Sequence, residues 1–157
     1  MNLFQNTRAE CEKAAAETLA KSITEIAQVK SHVIFGIVGG SSVPGVFKHL
    51  LQVQVPWKQV HIFMIDERCV SLNSLECNYR MAYNTFIKEL IDSKKIPKEN
   101  VHPFLYDPEN APSSIKKYDQ SLNELERKFD IILVSSGEDG HIGALFPKHN
   151  SVISENT

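Results

Sequence analysis

Three short apolar runs govern what this chain can fold into: HVIFGIV at residues 32–38, VHIFMI at 60–65 and FDIILVSS at 129–136. Such runs, rich in β-branched residues, have the pattern of strands covered on both faces. Between them, apolar residues recur at helical spacing. Residues 8–29 place Cys11, Ala15, Leu19, Ile23 and Ile26 on one side of a helix, with Glu and Lys between them. VPGVFKHLLQ resumes a helical pattern after the first run, and a helix with Tyr79, Ala82, Phe86 and Leu90 on one face follows the second. Residues 94–100 form a charged connection containing Pro97, and residues 101–104 read as a short strand. A helix with Ile115, Tyr118, Leu122 and Leu125 on its buried side leads into the third run. Buried strands alternating with amphipathic helices predict an α/β fold: a parallel sheet with helices on both faces.

In a parallel sheet the loops after the strands gather along one edge, and ligands bind there, where the strand order reverses. The three runs end in Gly39-Gly40-Ser41-Ser42, in Asp66-Glu67-Arg68 and in Gly137-Glu138-Asp139-Gly140-His141. Glycine and serine at a strand-to-helix turn offer backbone N–H groups and hydroxyls to an anion, with the helix dipole behind them. The same letters also describe a plain turn with a serine cap. Arg68 can hold a phosphate or carboxylate through paired hydrogen bonds, and Asp66 can orient a sugar hydroxyl or move a proton. The plainer alternative is a surface cluster of ion pairs. Histidine is the side chain whose unperturbed pKa lies near neutrality, which makes His141 the candidate general base, with Asp139 close enough to orient it. His32, His49, His61, His102 and His149 lack such a setting. No HxH, HExxH or CxxC spacing supports a metal site. Cys69 beside Arg68 reads better as a buried, inert cysteine than as a reactive thiol.

Length and charge narrow the classes further. The 157 residues suit one domain, and a net charge of −2 gives no general pull toward nucleic acid or acidic membranes. No apolar run is long enough to span a bilayer, and MNLFQNTRAE lacks the basic and apolar regions of a secretory signal. Three cysteines without a CxxC pair argue against a disulfide framework and for a reducing, cytoplasmic setting.

With the three clusters in view, the chain resembles the 6-phosphogluconolactonase family, within the wider group that includes glucosamine-6-phosphate deaminases and isomerases. The matching segments are GGSSVPGVFKHL, IFMIDERCVSLNSLECNYRMAYNTF and FDIILVSSGEDGHIGALFP. Gly-x-Asp-Gly-His followed by Leu-Phe-Pro is similar to the lactonase branch, as is Asp-Glu-Arg. Asn78-Tyr79 fits that branch's Ser-Asn-Tyr signature, with Cys77 in place of the serine. The resemblance implies a modified Rossmann-like sheet and a small-molecule substrate, 6-phospho-D-glucono-1,5-lactone, hydrolysed without metal or organic cofactor in the oxidative pentose phosphate pathway. It implies that His141 activates water with support from Asp139. Gly39, Gly40, Ser41, Ser42, Arg68, Asn78 and Gly140 would bind the phosphate or sugar, with Asn78 also shaping the site, and Asp66 would join His141 and Asp139 as a catalytic residue that shapes it. No nucleic acid or membrane partner is implied, and oligomeric state leaves no mark in these residues.

Two departures stand out. The family's Gly-Gly-Ser-Thr-Pro reads here Gly39-Gly40-Ser41-Ser42-Val43, and the sequence stops at Thr157. Family members continue through a further strand, helices and basic residues, so residues 1–157 are expected to form a single sugar-phosphate-binding domain incomplete at its C-terminal end. A fragment, a site completed by a partner chain and a reduced homologue all fit that expectation. An amino-sugar-phosphate deaminase or isomerase, and a sugar-phosphate-binding module without catalysis, are the alternatives to the lactonase.

Overall fold

The structure, a computed structural model, describes residues 3–150. Helix α1 spans Arg8–Ala27 and opens on a reciprocal cap: the Thr7 hydroxyl accepts the Glu10 N–H, and the Glu10 carboxylate accepts the Thr7 N–H. Strand β1 is Val33–Ile37, α2 is Pro44–Leu50 and β2 is Val60–Met64. A continuous helical stretch follows, made of α3 (Asn78–Ala82), a π-helical turn (Tyr83–Ile87) and α4 (Lys88–Asp92). Strand β3 is Val101–His102, helix α5 is Ala111–Asn123 and strand β4 is Ile131–Ile132.

The four strands are all parallel, in the order β3-β2-β1-β4. Register pairs Val33 with Val60 and Ile37 with Met64, so paired residues share a face. Val33, Phe35 and Ile37 point with Val60, Ile62 and Met64 into the main core, where Ile23 of α1, Phe47 and Leu50 of α2, and Phe86 and Leu90 complete it. Phe47 and Phe86 stack with ring centres 4.4 Å apart. Each such large side chain contributes about 1.5–3 kcal/mol on burial, so this layer dominates stability. On the other face α5 docks through Tyr118. Its hydroxyl donates to the Met64 carbonyl at 2.8 Å and accepts the Met64 N–H at 2.7 Å. Helices therefore lie on both faces, as the alternation of runs predicts.

The chain builds β1, β2 and β3 outward in one direction and then returns to the far side of β1 for β4. The order thus reverses between β1 and β4, which makes their carboxyl ends the crevice. Asp130 fixes that pairing. Its N–H bonds the Ile34 carbonyl at 3.0 Å, its carboxylate accepts the Ile34 N–H at 2.9 Å, and Lys30 holds the same carboxylate at 2.8 Å.

Three expectations need correction. The third run is not a long buried strand: only Ile131 and Ile132 pair, and Ile132 and Val134 are 50% and 43% exposed. Its place at the sheet edge is the reason, since no described element covers those two side chains. Ile115 is 62% exposed, because the inward line of α5 runs through Ser114, Tyr118 and Leu122. Ser114 is buried with its hydroxyl accepting the Asp107 N–H, a polar anchor that hydrophobic spacing does not register. The strand at 101–104 ends at His102.

Candidate active site

The chain leaves β1 through a buried Gly39, where space is the constraint: a Cβ there would lie 1.9 Å from Asn78 Oδ1. Gly40 follows with φ +98°, a left-handed conformation that favours glycine. Ser41 and Ser42 are exposed. Neither serine caps the next helix. Val43 precedes α2 without a side-chain cap, and the helix opens on Pro44, which has no N–H to give. Any anion held here meets the loop amides and hydroxyls rather than the end of a long helix dipole.

After β2, the Ile65 N–H extends the ladder to the Ile37 carbonyl at 2.8 Å, and the two acids that follow separate. Glu67 is structural. One carboxylate oxygen accepts the N–H groups of Asn78 at 2.8 Å and Arg68 at 2.7 Å, and the other accepts the Tyr79 N–H at 2.7 Å. A negative charge at the start of α3 is favourable by the helix dipole. Asp66 turns instead toward the glycine loop. Its Oδ1 is buried with no hydrogen-bond partner among the described residues. Burial first, and the Glu67 charge second, push its carboxyl above the usual range, against the pull of Arg68 and the Gly39 N–H. Asn78 Nδ2 donates to the Asp66 carbonyl at 3.3 Å. The ion-pair alternative for this cluster does not hold: Arg68 is exposed, and its guanidinium makes no ion pair among the described residues.

After β4, residues 137–145 fold back in a small turn. The Gly137 N–H bonds the His141 carbonyl at 2.8 Å, and Ser136 bridges Ile142. Gly140 takes φ +85°. His141 Nδ1 lies 2.5 Å from Asp139 Oδ1, and this contact holds the Asp139 carboxyl below its ordinary value. An ionised carboxylate only accepts, so the shared proton sits on Nδ1, and in the neutral ring the lone pair then falls to Nε2. The ring also rests against Phe146, 5.1 Å between centres.

Since β2, β1 and β4 are neighbours, the three loops line one edge of the sheet in that order. Direct contacts join the first two, through Gly39, Asn78 and Asp66. The chain after β4 approaches the glycine loop at Ser135, whose Oγ would lie 4.0 Å from a Cβ at Gly40. A cleft of about 410 Å³ between α1, the start of α2 and this segment is lined by Arg8, Ser42, Ser135 and Ser136 among others. His141 keeps its hydrogen bonds within its own turn, and Arg68 stands on the opposite side of β1 from it. A larger cleft of about 730 Å³, lined by Trp57, Lys58 and Lys94 among others, lies at the opposite edge of the sheet, away from these loops. Among the described residues no set of three His, Cys, Asp or Glu is placed to hold a metal ion.

Sequence reasoning passed over Glu67 as a helix anchor, and Arg8 and Ser135 at the cleft. Apart from the neighbouring Arg68 N–H, the partners of Glu67 begin ten residues on, beyond any local spacing rule. Arg8 meets Ser41 only because α1 packs against α2.

Comparison with known proteins follows the same lines. The 6-phosphogluconolactonase of Borreliella burgdorferi is 34% identical over 120 residues, covering 76% of this chain and 51% of that protein. The crystal structure of 6-phosphogluconolactonase from Thermotoga maritima matches with TM-score 0.77 at 24% identity, over 92% of this chain and 63% of that one. A monomeric glucosamine-6-phosphate deaminase matches with TM-score 0.76 at 19% identity, over 91% of this chain and 58% of that one. At such identities the two structures show a shared fold. The chain spans about half to three fifths of the length of curated relatives it matches. Residues 6–157 fit the glucosamine-6-phosphate isomerases/6-phosphogluconolactonase family, and the chain belongs to it.

Proposed function

We propose that this protein hydrolyses 6-phospho-D-glucono-1,5-lactone to 6-phosphogluconate, the oxidative pentose phosphate pathway step, with His141 as the base. The observation that carries the reading is the Asp139–His141 contact of 2.5 Å on a glycine turn beside the crevice. Asp139 fixes the tautomer, so Nε2 takes a proton from water as the water oxygen bonds the lactone carbonyl carbon. The tetrahedral oxyanion then collapses, the bond to the ring oxygen breaks, and His141 returns its proton to that leaving oxygen. Loop amides around Gly40 and the hydroxyls of Ser41 and Ser42 suit the phosphate, and the unpaired Arg68 adds a cation for phosphate or sugar oxygens. Asn78 and Gly140 keep the loops in shape. An anchored phosphate supplies orientation that a labile lactone turns into rate. A cytosolic setting fits the free thiols of Cys11, Cys69 and Cys77. No described helix is long and apolar enough to cross a membrane.

One observation favours a second reading. The buried, unpartnered Asp66 Oδ1, with its raised pKa, suits a carboxyl that carries a proton between sugar atoms, as an amino-sugar-phosphate deaminase needs. One assay separates the two. Protein added to freshly prepared phospholactone releases acid faster than the spontaneous rate, and His141→Ala abolishes the excess. Equal rates with and without protein reject the lactonase, and ammonia release from glucosamine 6-phosphate assigns the deaminase.

A further inference from the structure

We propose that Arg8 and Glu12 form a clamp that sets the Ser41–Ser42 peptide for anion binding, which makes Arg8 a positioning residue of the sugar-phosphate site. The inference deepens the proposed function and rests on it for the identity of the ligand. Arg8 Nη2 donates to the Ser41 carbonyl at 2.7 Å, and Arg8 Nε donates to Glu12 Oε1 at 2.8 Å. A planar guanidinium held at two points has little freedom left. Glu12 is the fixed member: its side chain is 16% exposed against 70% for Arg8. Its carboxylate lies over Gly45, where an added Cβ would come 2.0 Å from the carboxylate carbon. The glycine in α2 thus leaves room for the acid that aims the arginine.

The consequence for the site follows from peptide geometry. In a trans peptide the carbonyl of one residue and the N–H of the next point in opposite directions. Turning the Ser41 carbonyl onto Arg8 therefore turns the Ser42 N–H away from it, and that N–H has no partner among the described residues. The positive guanidinium on the oxygen also polarises the peptide and strengthens the N–H as a donor. Arg8 would thus act on an anion through the Ser42 amide without touching the ligand.

Three variants test the clamp: Arg8→Ala removes it, Gly45→Ala displaces Glu12 without deleting a charge, and Arg8→Lys keeps the charge but not the two-point hold. The readouts are the Kd for 6-phosphogluconate, KM and kcat for the phospholactone, and amide hydrogen exchange at residues 40–43, with melting curves as folding controls. We expect Arg8→Ala and Gly45→Ala each to raise Kd and KM roughly three- to tenfold, the scale of one ordinary hydrogen bond, because the arginine acts through the Ser42 amide. KM should move more than kcat, exchange at 40–43 should quicken, and Arg8→Lys should recover part of the loss. Weaker binding in Arg8→Ala but not in Gly45→Ala would make Arg8 a direct ligand and overturn the clamp. Unchanged exchange at 40–43 in both variants would overturn it as well. If the wild-type protein binds no 6-phosphogluconate, the functional reading fails, and the exchange data alone decide the clamp.

Discussion

The start of α3 rests on a weak cap. Cys77 Sγ accepts the Arg80 N–H at 3.4 Å and donates to Glu67 Oε2 at 3.5 Å, both long sulfur contacts. Burial raises the thiol's pKa, so it stays neutral beside that carboxylate. A serine hydroxyl can make the same two bonds at shorter range, and serine is a far better N-cap. Cys77→Ser is therefore expected to stabilise the protein by about 0.5–1 kcal/mol, read as a rise in the urea midpoint with unchanged slope. A fall in the midpoint would mean that the sulfur's packing outweighs its poor capping. The contact between His141 and Asp139 was legible from residues alone because a single residue, Gly140, lies between them. Asp66 and Glu67, adjacent in sequence, were not separable in that way, since what divides them is the later arrival of Asn78 and Tyr79.

At the scale of elements, the second face of the sheet carries a row of histidines on adjoining strands. His61 Nδ1 and His102 Nε2 are 3.0 Å apart, one donating to the other, and Phe63 stacks on His102 at 4.0 Å. Burial, with the neighbouring His61 as a lesser cause, lowers His102 to about 4. Burial and His32 lower His61. Folding thus favours neutral imidazoles, while the unfolded chain takes up protons below about pH 6.5. This stabilisation is complete above that pH and is lost as pH falls toward 4. Because His102 is only half-buried, the expected loss between about pH 7 and pH 5 is on the order of 1 kcal/mol. Urea midpoints at the two pH values measure it, with His102→Gln as the reference that flattens the difference. An equal drop in wild type and variant would place the effect elsewhere. The elements themselves were largely legible. The runs at 33–37 and 60–64 are strands because β-branched residues fill both faces of a central sheet. The run at 129–136 is equally apolar, but among the described residues it pairs only at 131–132 and has no neighbour beyond it, and apolar letters do not report how far a strand pairs.

On the scale of the molecule, the strand order places the switch point between β1 and β4 and sets the loops after β2, β1 and β4 in a row. That arrangement follows from the alternation of strands and helices, and is why the gathering of the three loops along one edge was legible in the sequence. The depth of the crevice was not legible, because it depends on α1 crossing the start of α2 and bringing Arg8 and Glu12 to the glycine loop. The chain spans only part of the length of its relatives, and the crevice is lined by the described residues on the α1, α2 and β4 sides. The central claim is that the three loops serve one ligand. Titrating isotope-labelled protein with 6-phosphogluconate while following backbone amide resonances tests it most directly. The account predicts that Gly40, Ser42, Arg68 and His141 shift together along one saturation curve. Shifts confined to a single loop, or loops that saturate at different concentrations, would contradict it.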